Sequence, residues 1–157
     1  MGLVSTLRIN NMKRFPRFVS ALVLGGLEFE VLRRDVGEDG GTSIEIFGEV
    51  AGQRTQVLRF DCFRLDPHYH MPPAASGQLA IDPAEVGDPL EWALTGTRDR
   101  VPEMLRSAGY PDLADKVDAD ALRNGAARVR ELVMRAPAPD PAKAFEVETE
   151  LPPVNPR

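Results

Sequence analysis

From residue 18 to residue 65 the chain alternates apolar and polar positions at the period of a strand. Phe18 to Leu24 is short, apolar and rich in valine and leucine, and Gly25-Gly26 supplies the positive φ angles of a tight hairpin turn. Leu27, Phe29 and Val31 then alternate with Glu28 and Glu30, which predicts a strand with one buried and one wet face. Asp35 to Gly41 reads as a polar, glycine-rich loop. Ile44 and Ile46 restart the alternation, with Glu45 outward and Gly48 as a candidate bulge. After the turn Ala51-Gly-Gln-Arg54, a strand runs from Thr55 to Phe63. It has Leu58, Phe60 and Cys62 on one face, and Val57, Arg59, Asp61 and Phe63 on the other. Pro67 cannot donate to a sheet ladder, so the strand is expected to end near Leu65, with His68-Tyr-His70 leaving from its rim. Short turns between consecutive strands predict an antiparallel meander.

The period changes after residue 80. Asp82-Pro-Ala-Glu85 and Asp88-Pro-Leu-Glu91 each place a capping acid before a proline at the first helical position. The first caps a single turn. The second opens an amphipathic helix whose stripe is Leu90, Leu94, Thr97, Val101, Met104, Leu105 and Ala108. Pro102 either kinks this helix or lies in the first turn of a second one capped by Asp99; the unbroken stripe favours the kink. Gly109 suits a left-handed terminator. A short helix is expected over 111–118, and a last one from about Asp118 or Asp120 to Arg135, with Leu122, Ala126, Val129 and Val133 inward.

The sheet needs a cover and the helical stripe needs a surface, so the expected fold is α+β. It is a four-stranded antiparallel meander followed by two or three C-terminal helices packed on one face. The expected organisation is a flexible basic arm over 1–17 (Arg8, Lys13, Arg14, Arg17), one domain over 18–135 and a proline-rich disordered tail over 136–157. Within the domain the sheet takes 18–65 and the helices 82–135.

Composition narrows the function. A chain of 157 residues can bury a core without disulfides, and a single cysteine cannot form an intrachain one. The net charge of −5 and 6% aromatic content argue against a general nucleic-acid coat. No segment approaches the ~20 apolar residues of a membrane span. Residues 12–24 imitate a secretory leader but lack a small-x-small cleavage site, so a cytoplasmic protein is expected, with Met12 as an alternative start.

The chemistry concentrates in 57–70, which holds both histidines, Cys62, Asp61 and Asp66. In an extended segment His68 and His70 point to the same side. Two imidazoles with one or two carboxylates suit one divalent transition metal, zinc, iron or manganese, here through His68, His70 and Asp66, with Asp61 as the alternative carboxylate. Metal-free acid/base catalysis would instead use a histidine oriented by Asp61 or Asp66. The structural alternative leaves both histidines hydrogen-bonded to main chain at the sheet rim. Cys62 reads as a small buried hydrophobe and Trp92 as packing.

Phe60-Asp-Cys-Phe63 followed by Asp66-Pro-His-Tyr-His70 resembles a family of small bacterial proteins of unknown function, over about residues 24–135. Asp88-Pro-Leu-Glu-Trp92 and Pro102 to Tyr110 continue the likeness, which implies no activity. A fainter resemblance, to the RelE-like TumE-type toxins, implies RNA cleavage by histidine acid/base chemistry. The leading expectation is a binding or accessory subunit without chemistry of its own, paired with another protein or a second copy. A metal-dependent hydrolase is the first alternative and a metal-free endoribonuclease the second; neither nucleic acid nor membrane is the favoured partner.

Overall fold

The computed structural model describes residues 3–4, 20–73 and 77–137. The expectations of a basic arm and a disordered tail lie outside the described residues, apart from Leu3–Val4, Ala136 and Pro137; of the leader-like residues 12–24, Ser20–Leu24 form a strand of the sheet and the others lie outside the described residues.

One antiparallel sheet runs in strict chain order: β1 (Leu3–Val4), β2 (Ser20–Leu24), β3 (Leu27–Val36), β4 (Asp39–Val50), β5 (Gln53–Phe63), β6 (His68–His70) and β7 (Leu79–Ala80). The helices follow: α1 (Pro83–Val86), α2 (Pro89–Asp99), α3 (Val101–Ser107), α4 (Pro111–Lys116), α5 (Ala119–Asn124) and α6 (Ala126–Arg135). The α+β meander is as expected, but the sheet is longer than four strands and the helical region is more broken.

Asp35 to Gly41 is not a loop. β3 and β4 pair from Glu28↔Phe47 to Val36↔Asp39, and only Gly37 and Glu38 turn the corner. Gly40 and Gly41 are ladder glycines because a Cβ there would come within 2.5 Å of Arg34 O and 2.4 Å of Cys62 O. The register shift falls not at Gly48 but between Ile46 and Phe47, where Ile46↔Leu58 is followed by Phe47↔Gln56 and Val57 of β5 becomes the extra residue. Gly48 instead admits α4, since a Cβ would meet Leu113 Cδ2 at 2.5 Å.

β5 ends at Phe63, and His68-Tyr-His70 does not leave the rim. It folds back as β6, pairing Arg59↔His70, Phe60↔Tyr69 and Asp61↔His68. Pro67 is tolerated because it precedes the strand.

One face of the sheet carries Leu22, Leu27, Phe29, Ile44, Ile46, Leu58 and Phe60, all essentially inaccessible. The helices lie on this face: α6 on β2 and β3, α4 on β4 and α2 on β5. The α2–α3 stripe packs as expected, with Leu94, Thr97, Val101, Met104 and Leu105 buried. It is not one kinked helix, however. Arg100 (φ −122°, ψ 6°) breaks it, and Pro102 sits in the first turn of α3, where its missing N–H has no partner to lose. Asp99 does not cap; it pairs with Arg98. Gly125 likewise divides the expected last helix. A Cβ at Gly125 would lie 2.5 Å from Leu24 Cδ1, so the break lets the chain approach β2 closely. Asp82 caps α1 through Ala84 N, and Gly109 has the left-handed φ of +97°. Trp92 packs edge-on against Phe60.

Candidate metal centre on the polar face

The opposite face reads Glu28, Glu30 and Arg34 on β3, Ser43 and Glu45 on β4, Arg59 and Asp61 on β5, and His68 and His70 on β6. Ladder pairs such as Glu30↔Glu45, Glu45↔Arg59, Asp61↔His68 and Arg59↔His70 set them side by side. The expected wet face is in fact buried at Glu30, Glu45, Ser43 and Asp61. Arg54 contributes to that cover: its guanidinium lies 3.8 Å from the Phe47 ring centroid and pairs with Glu28 and Glu30, each at 2.8 Å.

Asp61 is the centre of the cluster, with a fully buried side chain. Its Oδ1 accepts a 2.5 Å hydrogen bond from Ser43 Oγ, with Arg34 Nη1 at 3.7 Å. Its Oδ2 accepts from Arg59 Nε at 3.0 Å and faces His68 Nε2 at 3.1 Å and His70 Nε2 at 3.4 Å. The two imidazoles stand edge to face with centroids 5.0 Å apart. A burial cost of this size requires every lone pair to be met, and here each oxygen is met by cations or strong donors.

The tautomers follow from the partners. His68 Nδ1 donates to the Asp66 carbonyl at 2.8 Å, so in the neutral ring Nε2 carries the lone pair that points at Asp61. His70 Nε2 accepts from Arg59 Nη2 at 3.0 Å, a contact that takes up its single lone pair. Burial, reinforced by the Arg59 charge and opposed by Asp61, holds the His70 pKa below its ordinary value. Asp61 Oδ2 therefore stands within 3.4 Å of both Nε2 atoms, with the Arg59 guanidinium bridging Asp61 and His70.

Asp61, His68 and His70 each bring a ligand atom within 4.8 Å of the others. Metal–ligand bonds of about 2.1 Å at tetrahedral or octahedral angles separate ligand atoms by about 3.0–3.4 Å, which the Nε2–Oδ2 distances match. A main-chain carbonyl on Nδ1 is also the usual partner of a metal-binding imidazole. The donor chemistry fits zinc, iron or manganese.

Asp66 does not belong to this set. Its exposed carboxylate lies 3.8 Å from His68 Nδ1, on the side of the ring away from Asp61, and accepts from Gln78. Its contribution is the main-chain oxygen that orients His68. Asp39 fixes the loop that carries it, accepting from the amides of Leu65 (2.8 Å) and Asp66 (3.0 Å). Local desolvation opposes ionisation there, yet these amides and Gly40 N hold the Asp39 carboxyl below its usual range. Arg59 was legible as a neighbour of Asp61 two residues away on the same strand face. Ser43, Arg34 and Asp39 come from β3 and β4, and their part follows from register alone.

Cys62 lies across the sheet from Asp61, packed against the core, with its Sγ 3.9 Å from the Pro89 carbonyl of α2. Burial, with the charges of Asp61 and Asp88, pushes its thiol up to about 12, so it is a packing residue rather than a nucleophile. On the helical surface, Arg98, Arg106, Arg123, Arg130 and Arg135 pair with Asp99, Asp115, Asp120, Glu91 and Glu131. That balances the surface charge locally.

Fold and site together define a two-layer α+β domain with a polar cluster on the sheet face away from the helices. Residues 21–133 match the family model described as Domain of unknown function (DUF7700), and the chain belongs to that family. No curated protein and no solved structure matches the chain. Among the described residues no helix is long and apolar enough to cross a membrane.

Proposed function

We propose that the protein is a binding module for one divalent transition metal ion, held by the imidazoles of His68 and His70 and the carboxylate of Asp61. One observation carries the reading: two imidazole Nε2 atoms converge on a single buried carboxylate oxygen at 3.1 and 3.4 Å. Three protein ligands leave coordination positions for water or for a group from a partner. The module therefore suits an accessory subunit as well as a hydrolase, in which such an ion would supply Lewis acidity and a more acidic bound water.

The test is a zinc chloride titration of the full chain, purified without an affinity tag. One ion per chain, lost in the His68→Ala/His70→Ala double variant, is the expected result. Absence of saturable binding, or binding that the double variant retains, overturns the proposal.

A second reading is favoured by the His68 Nε2–Asp61 contact, which would orient an imidazole for acid/base work in a toxin-like ribonuclease. RNA cleavage that survives chelation and disappears with His68→Ala would select it.

A further inference from the structure

Arg59 lies inside the ligand set. Its Nε donates to Asp61 Oδ2 at 3.0 Å and its Nη2 to His70 Nε2 at 3.0 Å, so one planar guanidinium bridges two of the three ligand atoms. An imidazole nitrogen has a single lone pair. While His70 Nε2 accepts from Arg59 it cannot bind an ion, and a dication beside a guanidinium is opposed by charge. The other half of the carboxylate is held separately, because Ser43 and Arg34 engage Oδ1. Withdrawal of Arg59 would therefore bare Oδ2 and His70 Nε2 without releasing Asp61. The arginine has a way out: 26% of its side chain is exposed, against 1% for Asp61.

We infer that Arg59 is an internal cation that closes the site in the metal-free protein and is displaced when the ion enters, so that it sets the affinity of the site. The inference rests on the metal-binding reading above. Arg59 is a positioning and gating residue rather than a ligand. It stabilises the empty cluster by standing where the ion's charge would stand.

Zinc chloride titrations of the full-length wild type, Arg59→Gln and Arg59→Lys test it, with circular dichroism as the check on folding. Arg59→Gln is expected to bind zinc about tenfold tighter or more, since no cation must leave first. Arg59→Lys falls between, because an ammonium is a point donor and does not reproduce the planar fork across two acceptors. In the wild type, the Arg59 Nε–H resonance is expected to be protected without zinc and to exchange freely at saturation, a readout that needs no variant. Unchanged or weaker zinc binding by folded Arg59→Gln overturns the gate while leaving the site. Continued protection of Nε–H at saturation does the same. Zinc binding by Arg59→Gln but not by the wild type overturns both, because the natural chain then holds no ion and Arg59 is never displaced; failure of every protein to bind removes the metal site, and the gate with it.

Discussion

The two faces of one sheet are stabilised by different physics. On the helical face, Phe29, Phe60, Ile44 and Leu58 are buried by non-directional packing, and helices supply the cover. On the polar face, Asp61, Ser43, Arg59, His68 and His70 are held by directional contacts of 2.5 to 3.4 Å. The first face tolerates repacking within its volume. The second depends on each donor meeting its acceptor, and a missing partner leaves a buried charge exposed to none. Adjacent residues of β5 therefore belong to separate regimes: Phe60 to the core and Asp61 to the cluster.

Substitutions on the two faces sharpen that contrast. Phe60→Ala removes an aromatic side chain contacting Tyr69 and Trp92, and is expected to cost about 3–5 kcal/mol in urea unfolding. Asp61→Ala strands Arg59 and both histidines beside a void, with an expected cost of about 2–3 kcal/mol because the arginines retain partial access to water. Its effect should depend on salt and pH, which that of Phe60→Ala should not. Equal costs with identical salt dependence would erase the distinction. Gly48→Ala drives a Cβ into Leu113 and is expected to cost about 1–3 kcal/mol through overpacking of α4 against β4. Asp39→Asn gives the smallest effect and a local one, faster amide exchange at Leu65 and Asp66 with the core unaffected. The sign of its pH dependence is fixed. The folded Asp39 carboxyl lies below its unfolded value of 3.8, so its contribution is present above that pH and is lost as pH falls through the folded value. The wild-type Leu65 and Asp66 amides should lose protection over that acidic range, measured by hydrogen exchange, and Asp39→Asn should abolish the transition.

The helical face was legible in the sequence because burial there follows one-dimensional periods. Leu27, Phe29 and Val31 repeat every two residues, and Leu94, Thr97, Val101 and Leu105 every three or four. The polar face was legible only within single strands. The periods placed Arg59 beside Asp61 and His68 beside His70, but pairing brings these doublets together, and pairing is a long-range property. That is why the sequence offered Asp66 as well as Asp61 for the carboxylate, whereas the ladder sets Asp61 directly across from His68 and leaves Asp66 outside the cluster. Glycines misled for a related reason. Gly40 and Gly41 suggest a loop by composition, yet they lie in the ladder because neighbouring backbone atoms leave no room for a Cβ.

Anomalous diffraction at the zinc edge, from crystals of the full chain grown with zinc, tests the metal site most directly. One peak is expected about 2.1 Å from His68 Nε2, His70 Nε2 and Asp61 Oδ2, with the Arg59 guanidinium turned away. A site without density, or a peak bound elsewhere while Arg59 still bridges Asp61 and His70, would contradict it.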